Sequence, residues 1–169
     1  MKTRRRTPYI LGLMVLLVGI RTLFALGAQG PLFHGGEETD LDLAPWERVS
    51  DLDELNPKTR EKAELFLKAC QDQGLEVVIV ETYRSQERQD YLYAQGRTRE
   101  GPVVTWTKKS RHTQRCAFDI CKAGPDPYGD DDFFRRCAEI GRDLGLNPGY
   151  YWEGTQDKPH FQYDKTWGL

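Results

Sequence analysis

The chain has 169 residues, 38% of them hydrophobic and 30% charged, a composition that suits one globular domain and excludes a disordered or membrane-embedded protein. Its formal charge of −2 conceals an asymmetry, because five of the 24 basic residues and none of the 26 acids fall in residues 1–28. The remainder is therefore acidic, the wrong sign for a surface that tracks phosphates, and nucleic acid is excluded as a partner.

Residues 1–28 read as a signal peptide or an N-terminal membrane anchor. Lys2 to Arg6 is basic, Ile10 to Ile20 is apolar and uncharged, and the small residues Ala25, Gly27 and Ala28 follow. Eleven residues suit a signal core, whereas a spanning helix needs about 20. An uncleaved anchor over residues 8–28 stays open, because Arg21 would lie close enough to the far side to snorkel. In both cases the rest of the protein is expected to be exported, to the periplasm or cell envelope. Residues 29–53, rich in Gly, Pro and acids, read as a flexible linker in which His34 is solvated.

From residue 54 to 169 the elements predict one α+β domain. Asn56 caps a helix with Pro57 at its first position, and Gly74 stops it. Leu75 to Thr82 is a β-branched run that reads as a strand. A second helix runs from the Ser85 cap to about Gln95, ahead of Gly96. Val103–Trp106 and Cys116–Cys121 read as strands, Asp130–Asp132 opens a third helix that Gly145 closes, and a last strand lies near His160–Tyr163. The acidic triplet could also hold a metal, but carboxylates at a helix start are the simpler reading.

Two polar segments carry the candidate chemistry. Ser110-Arg-His-Thr-Gln-Arg-Cys-Ala-Phe-Asp119 and Asp157-Lys-Pro-His160 place two of the three histidines beside carboxylates. Catalytic zinc takes three N or O ligands and keeps one position open. His112 and Asp119 are too far apart to be neighbours on one regular strand, but they can meet if a turn precedes the strand that carries Asp119. Asp157 lies three residues before His160, where a carboxylate can take the proton of an attacking water. The spacing alone equally allows ordinary hydrogen-bonded His–Asp pairs.

The frame Ser110-x-His112 with Asp119, followed by Asp157-x-x-His160, resembles the M15 zinc peptidases, the superfamily of D-alanyl-D-alanine carboxypeptidases and L-alanyl-D-glutamate peptidases. Tyr83 to Thr98 and Val103 to Trp106 resemble its L-alanyl-D-glutamate branch, which includes phage endolysins. The resemblance, over about residues 50–163, implies a Hedgehog/DD-peptidase-like single domain with a small antiparallel sheet flanked by helices. It implies Zn²⁺ on His112, Asp119 and His160, Asp157 as the catalytic base, and Arg84 binding substrate or the developing oxyanion. Ser110 and Gln89 would touch substrate or shape the cleft. The implied protein is a monomeric hydrolase of peptidoglycan stem peptides, cutting the L-Ala-D-Glu bond. D-Ala-D-Ala carboxypeptidase or dipeptidase action, and a decayed peptidoglycan-binding module, are the alternatives.

The last alternative arises from Arg115, which stands where the family frame carries Gly. A left-handed residue other than Gly costs about 1–2 kcal/mol, and a guanidinium beside the metal would weaken its binding. Cys70, Cys116, Cys121 and Cys137 are an even set that, in an oxidising compartment, suggests up to two disulfides, one of them bracing the Asp119 strand through Cys121. Four buried thiols are the other reading; no Cys-x-x-Cys pair supports a redox site.

Overall fold

A computed structural model describes residues 44–164; the expected leader, His34 and most of the expected linker lie outside the described residues. The order is α1 (Pro57–Asp72), β1 (Val77–Glu81), α2 (Gln86–Ala94), β2 (Ala117–Lys122), α3 (Asp131–Asp143), β3 (Asn147–Pro148) and β4 (His160–Gln162), with short 3₁₀ turns between them. The strands form one antiparallel sheet in the order β1-β2-β4-β3. This is the expected α+β arrangement, with two of its helices packed on one face of the sheet.

Local chemistry accounts for the helix limits. The Asn56 side chain accepts from the backbone N–H of Lys58 and Thr59, and Pro57 follows at the first helical position. Ser85 caps α2 through Arg88 N–H, and Asp130 caps α3 through Phe133 N–H. The Asp130–Asp132 triplet is therefore a helix start, its charges answered by Lys122, Lys158 and Arg135.

α1 buries Thr59, Ala63, Phe66 and Cys70, a stripe at helical spacing, and α3 buries Phe133, Phe134, Cys137 and Ile140. Both stripes press on Phe118, Ile120 and Phe161, which alternate onto the same face of β2 and β4. Phe66 sits 4.8 Å from the Phe161 ring and 5.6 Å from Phe118, and each fully buried ring contributes about 1.5–3 kcal/mol. Strand alternation then leaves Asp119 and His160 on the opposite face, toward a cleft.

Three expectations need correction. Val103–Trp106 is not a strand: it joins no sheet, and the carbonyls of Thr105 and of the following Thr107 are taken by Arg97 and by Gln89 from α2. The disulfides are absent, and all four cysteines are free thiols. Cys116 accepts from the Asn56 amide and donates to Gln114 O, while Cys121 lies on the cleft face away from the helices, so the brace between that strand and a helix cannot form. Cys70 and Cys137 meet as a buried thiol pair between α1 and α3, where their mutual hydrogen bond and burial push the Cys137 pKa up. Finally, residues 44–53, read as linker, are held on the domain. Thr82 N–H donates to Val49 O at 2.7 Å, and the Arg88 guanidinium donates to Pro45 O at 3.1 Å.

Candidate metal centre

Register sets the site. Asp119 pairs directly with His160 across β2 and β4, and with Glu81 across β1 and β2, so three polar side chains form a row over neighbouring strands. The Glu81 position depends on an irregularity in β1 between Ile79 and Glu81, a bulge that re-aims the carboxylate.

His112 reaches this row from the 3₁₀ turn Arg111–Gln114. Ser110 caps that turn, its Oγ accepting from His112 N–H at 3.3 Å. Arg115 ends it at φ 57° and ψ 26°, a left-handed residue that swings the chain into β2 and closes the gap between His112 and Asp119. The turn required by the sequence is thus built on the one position that departs from the family frame. The Arg115 guanidinium is directed away from the row: it pairs with Glu54 and lies 4.0 Å above the Tyr83 ring. The expected added charge beside the site is therefore absent.

Arg115→Gly is expected to change stability by less than about 1 kcal/mol, since backbone relief of about 1–2 kcal/mol offsets the lost pair and ring contact. Zinc affinity should stay within about twofold, because a guanidinium held this way is no longer a local charge on the ligands. Urea unfolding and competition with a chromogenic chelator check both; a clear tightening of zinc would show that Arg115 does act on the site.

His112 Nε2, Asp119 Oδ1 and His160 Nδ1 lie 3.1, 3.1 and 3.2 Å from one another. Tetrahedral zinc, with bonds of about 2.0–2.1 Å, separates its ligand atoms by about 3.3–3.4 Å, so this triangle fits with little adjustment. The outer nitrogens are also engaged. His112 Nδ1 lies 2.7 Å from Thr82 O and His160 Nε2 lies 3.1 Å from Gln162 Oε1; donation to these acceptors leaves the inner nitrogens unprotonated, as metal ligation needs. Gln162 is fixed in turn by Asp164, which also pairs with Arg111. Burial would raise the Asp119 pKa, but His112 and His160 override it and hold the carboxyl well below its usual range. His160 shifts upward: burial opposes its charge, and Asp119 outweighs that.

Asp157 stands beside the triangle in the turn before β4. Its N–H donates to Gly149 O at 2.9 Å, its carbonyl accepts from His160 N–H at 3.1 Å, and Pro159 O accepts from Ile120 N–H at 3.0 Å. Gly149 is needed for this approach, since a Cβ there would meet Asp157 O at 2.4 Å. Asp157 as a residue is exposed, yet its surroundings strip water from the carboxyl and Asp119 adds like charge, so its pKa lies above the ordinary value.

Arg84 is buried and faces the same cleft. Its guanidinium donates to Glu81 at 2.6 Å and to Gln89 Oε1 at 2.8 Å, and lies 3.5 Å from Asp119 Oδ2. Arg88 takes the other Glu81 oxygen at 2.5 Å. Burial pushes Glu81 up, and the two arginines reverse this, so it is ionised between them. Gln89 is itself anchored by Thr107 O at 2.6 Å, which makes it a support for Arg84. The structure thus gathers six of the sequence candidates, His112, Asp119, His160, Asp157, Arg84 and Ser110, around one cleft of about 1020 Å³, while Gln89 is buried behind it and reaches it only through Arg84.

Several participants were missed. Thr82 acts through a backbone carbonyl, which carries no side-chain signal. Glu81 depends on the bulge. Gln162, two residues beyond His160 on a strand and hence on the same face, was the one that periodicity could have found.

The model of the VanY D-alanyl-D-alanine carboxypeptidase family matches residues 52–164, which include every residue of the site. The chain belongs to this family. Over 123 residues it is 31% identical to the peptidoglycan L-alanyl-D-glutamate endopeptidase CwlK of Bacillus subtilis (strain 168), covering 64% of this chain and 73% of that protein. In fold it is similar to the Serratia marcescens L-Ala D-Glu endopeptidase ChiX, with a TM-score of 0.56, 21% identity and coverage of 70% of this chain and 90% of the other. A vancomycin-resistance D,D-pentapeptidase VanY variant crystallised with Zn(II) has a TM-score of 0.50 at 19% identity, covering 69% of this chain and 76% of its own. The expected family and fold are therefore established.

Proposed function

We propose that this protein is an exported, monomeric zinc peptidase that hydrolyses peptidoglycan stem peptides at the L-Ala-D-Glu bond. The observation that carries the reading is the His112, Asp119 and His160 triangle with Asp157 beside it, on a chain of this family. Resemblance to CwlK and the Tyr83–Thr98 segment support the choice of bond.

His112 Nε2, Asp119 Oδ1 and His160 Nδ1 would hold the ion. Zinc, when bound, supplies Lewis-acid polarisation of the scissile carbonyl and eases ionisation of water. Asp157, with its raised pKa, accepts the proton of the attacking water and passes it to the leaving amine. Arg84, held by Glu81 and Gln89, presents a fixed positive charge to the oxyanion without reorganising. Its contact with Asp119 also orients that ligand.

D-Ala-D-Ala carboxypeptidase action is the second reading, favoured by the family description itself. Digestion of purified muropeptides, followed by mass spectrometry, separates the two. Cleavage between L-Ala and D-Glu is expected; release of terminal D-Ala alone would overturn the first reading. A purified domain that binds no zinc and is inert would instead support the binding module.

Export rests on the basic-then-apolar order of residues 1–28. Among the described residues no helix is long and apolar enough to cross a membrane. Sequencing the N-terminus of the mature protein decides between a cleaved signal and an anchor.

A further inference from the structure

One wall of the cleft is used by none of these steps. After α2 the chain turns back on itself at Gly96, φ 72°, where a Cβ would come within 2.7 Å of Val103 N. The following segment has no regular structure, yet its backbone is tied down by side chains of α2 and its end. Gln89 holds Thr107 O at 2.6 Å, Gln86 holds Lys108 O at 3.1 Å and Arg97 holds Thr105 O at 3.1 Å. A fixed backbone thus carries Val104 and Trp106 with 51% and 71% of their surface exposed, and both line the cleft that contains His112 and Asp157.

The backbone on either side of Trp106 is already held while its ring stays exposed to the cleft, so stacking a ligand there would cost little further ordering of the chain. The Trp106 indole N–H has no partner among the described residues. Arg97 lies 3.9 Å from the Tyr93 ring and 5.8 Å from the Trp106 ring, with Lys108 5.2 Å from Tyr93, so cations flank the platform. Residues 103–109 contain no acid. The wall therefore repels the ammonium of a diamino acid in the stem and favours a neutral group with one flat C–H face and hydrogen-bonding edges.

We infer that Trp106 is a saccharide subsite, stacking on the N-acetylated amino sugar to which the stem peptide is attached. The inference rests on the proposed L-Ala-D-Glu specificity, under which one residue, at most about 3.6 Å of chain, separates that sugar's lactyl group from the scissile bond. For a cut before the terminal D-Ala the separation is four residues, about 14 Å, and the sugar would leave this wall.

The test uses full-length zinc enzyme and two substrates, the free stem peptide and the same peptide bearing the amino-sugar disaccharide. Wild type is expected to prefer the sugar-bearing form, and in Trp106→Ala the ratio of the two kcat/KM values should fall about tenfold, while Trp106→Phe retains most of it. A ratio unchanged by Trp106→Ala, or no preference in wild type, overturns the inference. Titration with the peptide-free disaccharide, read by tryptophan fluorescence, is independent of which bond is cut. Quenching present in wild type and lost in Trp106→Ala supports the platform; equal responses overturn it. Release of D-Ala in the digest would overturn the bond assignment and with it the placing of the attached sugar during turnover, whereas loss of the disaccharide response alone overturns the platform.

Discussion

Asp119→Asn is expected to lower zinc affinity by about two to three orders of magnitude and to abolish measurable hydrolysis. Zinc sites of three or four ligands bind with about 10–16 kcal/mol, so one ligand contributes about 3–4 kcal/mol, each 1.4 kcal/mol being tenfold. The substitution keeps the volume of the side chain in its place opposite His160, and removes the charge that holds the two histidines. His112→Ala should lose zinc to a similar degree, but it also leaves Thr82 O without its partner and opens a cavity. Metal analysis after dialysis, with circular dichroism to monitor the fold, reads both. A folded Asp119→Asn protein that keeps one zinc would overturn the ligand assignment.

Asp157→Ala is expected to keep its zinc and lose about 10²–10⁴ in kcat, the range a positioned acid–base group supplies. The structure explains why this variant is clean. The turn is held by the backbone N–H and C=O of residue 157, through Gly149 and His160, and the carboxyl takes no part. Removing the side chain therefore leaves the ligand loop in place, and KM should change much less than kcat. Steady-state kinetics on muropeptides with parallel zinc analysis decides; a loss of kcat below tenfold, with zinc retained, would assign the proton transfer elsewhere.

The two variants separate holding the ion from using it. Arg84 links these roles, because the same guanidinium faces the cleft and touches Asp119. Its partner Glu81 is buried with two arginines, and deleting one member of such a cluster commonly costs about 3–5 kcal/mol. Changes at Glu81 would therefore mix stability with catalysis, and Asp157 is the better probe of the chemistry.

Much of this protein was legible in its residues. Asn56 with Pro57, Ser85 and Asp130 mark helix starts by chemistry confined to a few neighbouring atoms, and the structure uses all three as caps. The metal and base candidates were legible for a related reason: few residue types do this chemistry, and two short segments set histidines and aspartates at the spacing of the family frame. Val103–Trp106 misled because β-branched residues favour a strand only where a partner edge exists, and here Arg97, just beyond α2, takes the Thr105 carbonyl while Gln89 of α2 holds that of Thr107. The cysteines misled because pairing depends on the distance and direction of side chains from different elements.

What only the tertiary structure decided is direction. Arg115 shows this best: from sequence it threatened both the turn and the metal, since a residue type fixes charge and backbone cost but not where a long side chain goes. In the fold it supplies the left-handed turn itself, and Glu54 and Tyr83, more than thirty residues away in sequence at the nearer, draw its charge off the site. The same holds for Glu81, which a bulge aims at Arg84, and for Thr82, whose carbonyl selects the His112 tautomer. Residue chemistry named the candidate ligands; long-range packing oriented them, because contacts between distant segments exist only once the chain is folded.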